Sequence, residues 1–140
     1  MKAPWTAGEK PQVHSIARSG DLVHIRQAIR ALSQKCRLSL VDQTKMITAA
    51  SELARNTLIY GGGGTVTSGL VSAGNKQGVA AVFEDSGPGI PDVEQAMTDG
   101  WTSGGGLGLG LSGARRLVDD FELVTAPGEG TSVTIVKWVR

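Results

Sequence analysis

The chain has 140 residues, the length of one compact domain, and its 40% hydrophobic and 19% charged residues build an ordinary core and exclude a disordered tail or a coiled coil. Fourteen basic against thirteen acidic side chains leave a net charge of +1, which is not the basic footprint of a duplex-DNA binder, so no nucleic acid is expected as a partner. Cys36 has no second cysteine to pair with, two histidines cannot complete a usual structural zinc site, and no apolar run reaches the length of a membrane span or a secretory signal, so a cytoplasmic protein with no membrane partner is expected.

In chain order, residues 1–11 are polar, carry Pro4 and Pro11, and are expected to form a loose arm ahead of a single domain over 12–140. Residues 12–17 alternate as a short strand, and Ser19-Gly-Asp21 offers a turn and a helix cap. Leu22, Ile25, Ala28, Ile29 and Leu32 then recur at helical spacing and predict an amphipathic helix over 22–36. Asp42 is placed to cap a second helix over 43–60, whose core stripe is Met46, Ala49, Ala50, Leu53 and Leu58. The run Gly61-Gly-Gly-Gly64 stops that helix. A strand over 65–72, a turn over 73–78 and a buried strand over 79–84 follow. A glycine- and proline-rich loop at 85–91 precedes a short helix over 92–98, and a second glycine-rich loop covers 100–107. A helix through Ala114, Leu117 and Val118 ends near Asp120, and strands at 121–125 and 132–139 close a hairpin across Pro127-Gly-Glu-Gly130. Helices followed by antiparallel strands predict a two-layer α+β sandwich.

Twenty glycines are roughly twice the usual share and are clustered, which points to loops that approach a ligand or another backbone. No glycine is followed by the Lys-Ser/Thr pair of a Walker A loop. Gly108-Leu-Gly110-Leu-Ser-Gly113 matches G-x-G-x-x-G, but neither the preceding strand nor the following acid of a dinucleotide fingerprint is present. Gly104, Gly105, Gly106, Gly108 and Gly110 instead leave backbone N–H groups open ahead of a helix, which suits either a phosphate cradle or a plain connector. Glu52 and Asn56 are four apart on the second helix and lie at the margin of its apolar stripe, where an acid and an amide oxygen can line a cleft, face solvent or bond each other. Arg55 falls nearly opposite Leu53 on the helical wheel and is expected to face solvent. In Glu84-Asp-Ser-Gly-Pro-Gly-Ile90 a strand ends in Asp85, which either starts an ordinary turn or accepts a hydrogen bond from an amino group such as adenine N6, with Gly87 and Gly89 admitting a flat ring.

Taken together, and followed by Gly128-Glu-Gly-Thr131, these blocks resemble the Bergerat (GHKL) ATP-binding fold of gyrase-type ATPases, ninety-kilodalton heat-shock chaperones, histidine kinases and bacterial anti-sigma serine kinases, over about residues 12–140. The resemblance implies a mixed, mostly antiparallel sheet covered by helices on one face, with ATP and Mg²⁺ as cofactors. It implies that Asn56 coordinates Mg²⁺, that Glu52 is the general base or hydroxyl-orienting acid, and that Asp85 reads adenine beside Gly87 and Gly89. Gly104, Gly105, Gly106, Leu107, Gly108 and Gly110 match the phosphate-covering lid, and Thr131 a threonine near the adenine. His14 and His24 are not placed as the phosphoacceptor of a histidine kinase, and are expected to be surface or satisfied structural residues.

The stretches Glu84-Asp-Ser-Gly-Pro-Gly-Ile-Pro-Asp92, Asp99-Gly-Trp-Thr-Ser-Gly-Gly-Gly-Leu-Gly-Leu-Gly-Leu111, Gly113-Ala-Arg-Arg-Leu-Val-Asp-Asp-Phe121 and Val136-Lys-Trp-Val-Arg140 are similar to the RsbT-like switch kinases of the stressosome type. That similarity implies a protein serine/threonine kinase acting on a STAS-domain scaffold or antagonist and able to bind a metal-dependent serine phosphatase. The alternative it leaves is an anti-sigma factor, bound to a sigma factor, or a nucleotide-dependent binding regulator with little kinase activity. Trp101 is expected to pack in the lid or to touch a partner, and Gly61-Gly-Gly-Gly64 and the arm have no functional reading in the sequence.

Overall fold

Apolar periodicity decides the layers. In the computed structural model, which describes residues 3–98 and 110–140, the elements run β1 (Gln12–Ile16), α1 (Asp21–Lys35), α2 (Leu40–Ile59), β2 (Gly64–Ala73), β3 (Lys76–Asp85), α3 (Val93–Ala96), α4 (Gly110–Leu117), β4 (Asp120–Thr125) and β5 (Thr131–Trp138). Ile25 and Ile29 of α1, and Met46, Ala49, Ala50 and Leu53 of α2, are fully buried against the inward residues Val66, Val79, Ala81, Phe83, Val133 and Ile135 of the sheet. The alanines of α2 bring that helix close over the middle of the sheet.

The strand order is β1-β2-β3-β5-β4, and every pairing among the described residues is antiparallel, where a mixed, mostly antiparallel sheet was expected. The connections explain it. With two helices between β1 and β2 the chain reverses three times, so β2 returns antiparallel to β1, and β2–β3 and β4–β5 are hairpins. The β2–β3 hairpin is tighter than the sequence predicts, with only Gly74 (φ 60°) and Asn75 between the strands.

Neither expected helix cap is where the sequence placed it. The α2 helix starts earlier, at Leu40, and its cap is Ser39, whose Oγ accepts from the Asp42 N–H at 3.1 Å. Asp42 instead faces the buried Lys137 on β5 at 3.6 Å. Lys137 also lies 3.5 Å from Asp119 and donates to the Leu117 carbonyl at 3.1 Å, while Arg140 reaches Asp119 at 2.6 Å. Asp21 lies inside the first turn of α1 and accepts from the Ala17 and Arg18 N–H groups at 2.8 and 3.1 Å, which holds its carboxyl below the usual carboxylate range.

The arm is not loose. Pro4 accepts from the Ser72 N–H at 3.0 Å, the Thr6 N–H donates to Leu70 at 2.8 Å, and Trp5 bridges Val71. The cause lies in the alternation of the strands: Val71, Ala80 and Val136 point away from the helices, and Ala3, Trp5, Val82 and Trp138 bury them. His14 is half-buried with a buried Nδ1 that has no hydrogen-bond partner, so it is not a satisfied structural histidine.

Candidate functional site

The site lies where the second half of α2 meets the ends of β3 and β5. Helical geometry places Glu52 and Asn56 on one face, one turn apart. The N–H groups of Tyr60 and Gly61 both return to the Asn56 carbonyl, at 2.9 and 3.2 Å, and close the helix. The end of β3 reaches this helix terminus, and Asp85, its last residue, pairs with Thr131, the first of β5.

Glycines make this junction possible. A Cβ on Gly61 would lie 2.5 Å from the Asp85 Cγ and 2.6 Å from its Oδ2, so helix end and carboxylate touch only because that position has no side chain. The Gly87 N–H donates to Asp85 Oδ1 at 2.9 Å, and a Cβ there would meet the Gly61 carbonyl at 2.8 Å. On the other side Gly130 (φ 84°) rests on the Asp85 carbonyl. Asp85 is thereby fixed with one oxygen bonded to Gly87.

A cavity of about 280 Å³ opens from this junction. Glu52, Asn56, Asp85, Gly89, Gly110 and Thr131 line it together, and Phe83, Ile90, Leu111 and Val133 supply apolar wall. Gly87 stands behind the wall and orients Asp85. Gly110 opens α4 with φ 70°. Gly104, Gly105, Gly106, Leu107 and Gly108, like Trp101, lie outside the described residues. The rim is clipped to the β4–β5 hairpin: Gly128 N–H donates to Pro88 at 2.7 Å, Ile90 N–H to Thr125 Oγ1 at 2.9 Å, and the Thr125 and Thr131 hydroxyls share a 2.9 Å hydrogen bond.

Two contributors differ from the sequence reading. Arg55 is half-buried and lines the cavity instead of facing solvent: it is about 60° round the helix from Glu52 on the side away from Leu53, and a side chain of its length bridges that angle. Gly61 belongs to the site through its contact with Asp85. Its only trace in the sequence is that four glycines stand where one stops a helix.

The arrangement suits a flat, amino-bearing heterocycle between apolar walls at Asp85 and Thr131. Asn56 and Glu52 offer hard oxygen donors about one and a half and two and a half turns back along α2 from Gly61. No group of three His, Cys, Asp or Glu side chains that could hold a metal occurs among the described residues.

Residues 41–139 match the family of histidine kinase-, DNA gyrase B-, and HSP90-like ATPases. The serine/threonine-protein kinase RsbT of Bacillus subtilis (strain 168) is 43% identical over 120 residues, covering 86% of this chain and 90% of that protein. The anti-sigma F factor of Clostridium novyi (strain NT) is 27% identical, covering 96% of this chain and 97% of that protein. The solution structure of the histidine kinase domain of the E. coli osmosensor EnvZ aligns with a TM-score of 0.45 at 19% identity, over 96% of this chain and 93% of that one.

Proposed function

Because the chain belongs to the family of histidine kinase-, DNA gyrase B- and HSP90-like ATPases, we propose that it is an ATP-dependent protein serine/threonine kinase and a partner-switching regulator. The observation that carries this reading is the convergence of Glu52, Asn56, Asp85 and Thr131, from α2, β3 and β5, on one cavity.

Asp85 accepts from the amino group of adenine, its carboxylate held by Gly87 and given room by Gly61. Phe83, Ile90 and Val133 exclude water from the faces of the ring. Asn56 and the phosphates would hold Mg²⁺, whose role when bound is to neutralise charge on the phosphate oxygens. Glu52 orients the hydroxyl of the protein substrate and takes its proton as the oxygen bonds to the γ-phosphorus, the bond to the β–γ bridging oxygen breaks and ADP leaves.

The substrate we assign is a serine or threonine of a STAS-domain scaffold or antagonist, with a metal-dependent serine phosphatase as the alternative partner of the released kinase. The 43% identity to a serine/threonine-protein kinase supports this over a pure anti-sigma role, and Glu52 in the cavity wall supports transfer over nucleotide binding alone. The match to anti-sigma F factors favours, as second reading, a nucleotide-dependent regulator that binds a sigma factor. Incubating the protein with γ-labelled ATP, Mg²⁺ and cytosol of its own source separates the two. Label on a small STAS-type protein, lost with Glu52→Gln while ATP affinity stays within about threefold, is the expected result. Equal transfer by Glu52→Gln and the wild type removes the role of Glu52, and a co-purifying sigma factor without any label favours the second reading.

A further inference from the structure

The ATP site leaves one charged wall residue without a role. The ionisable side chains among the described residues lining the cavity are Glu52, Asp85, Tyr60 and Arg55, so two carboxylates stand against one guanidinium. A nucleoside triphosphate carries about four negative charges at neutral pH, and it would enter a wall whose two carboxylates are offset only by Arg55.

The position of Arg55 along α2 fits the far end of such a ligand. Gly61, at the end of the helix, touches Asp85, where the base is seated. Arg55 lies six residues back, roughly 9 Å along the axis, beside Asn56 and one turn from Glu52. No hydrogen bond or ion pair engages its guanidinium among the described residues, although Arg140 and Lys137 elsewhere each face two carboxylates. A half-buried, uncommitted fork of N–H donors next to an amide oxygen and a carboxylate is suited to bidentate recognition of a phosphate.

We infer that Arg55 is a specificity-determining residue that binds the terminal phosphate of the nucleotide, so that the site distinguishes a triphosphate from a diphosphate. The inference rests on the ATP-binding reading above. Each nucleotide contact is read on the protein alone, by calorimetric titration with Mg²⁺ and either a non-hydrolysable ATP analogue or ADP, for the wild type, Arg55→Ala and Arg55→Lys. The expected result is that Arg55→Ala weakens the triphosphate about tenfold or more and ADP less than about twofold, with Arg55→Lys between. Equal loss of both nucleotides overturns the assignment to the terminal phosphate, as does an unchanged ratio. An unchanged ratio with a defect confined to transfer onto the partner protein also overturns it, and places Arg55 on the protein substrate. Wild-type protein that binds neither nucleotide removes the ATP site itself, which is a different failure from a wild type that binds both and a variant that discriminates as well as it does.

Discussion

A missing methyl group is as much a part of this site as any carboxylate. Because the Cβ of an alanine at position 61 would lie within 2.5–2.7 Å of three Asp85 side-chain atoms, either the carboxylate or the end of α2 must move. Gly61→Ala is expected to weaken ATP binding at least about tenfold and to narrow the preference for ATP over GTP, checked by titration with both nucleotides alongside a thermal melt. Unchanged affinity with a lowered Tm would mean that the contact serves the fold alone. Glu52, Asn56, Asp85 and Thr131 were legible in the sequence because chemistry-bearing side chains stand there in a recognisable order. Gly61 was not, since its part is to leave room for a residue on another element. Arg55 was misread for a different reason: a helical wheel gives the direction of a Cβ, and a long side chain reports the position of its tip.

At the scale of the element, α2 sets the geometry, because Glu52, Arg55, Asn56 and the Gly61 junction all hang on one helix. Its start depends on Ser39, the residue whose hydroxyl satisfies the N–H of Asp42. Ser39→Ala is expected to cost about 1 kcal/mol, read as a drop of a few degrees in Tm with nucleotide affinity nearly unchanged, since the cap is several turns from the cavity. The spacing Ser39-x-x-Asp42 is compatible with a cap at either residue. What conceals the true one is Leu40 and Val41, apolar side chains that remain 78% and 64% exposed in the first turn. The elements themselves were readable from periodicity, because stripes such as Met46, Ala49, Ala50 and Leu53 are dictated by burial. The packing of the arm was not, because Trp5 is ordered by the far face of a sheet whose strands are distant in sequence.

The whole molecule is held at the end of the sheet away from Asp85 by charge as well as by apolar contact. Lys137 is 4% exposed and joins β5 to Asp42 in the first turn of α2, to Asp119 ahead of β4 and to the last carbonyl of α4. Lys137→Met leaves two carboxylates facing each other without their buried counter-charge, and is expected to destabilise by about 3 kcal/mol or more in urea unfolding. A loss under about 1 kcal/mol would mean that Arg140, which reaches both carboxylates, suffices alone.

The pairing of Asp85 with Thr131 also dictates when the site can come into being. The chain leaves that rung of the ladder at residue 86 and returns to it only after residue 130, so α3, α4 and β4 are all made before the rung can close. Loop-closure entropy makes such a distant contact a late one in folding. A chain growing from the ribosome would therefore hold no pocket at Asp85 until β5 emerged, and a ligand of that pocket could stabilise only molecules that had gained β5, never shorter ones.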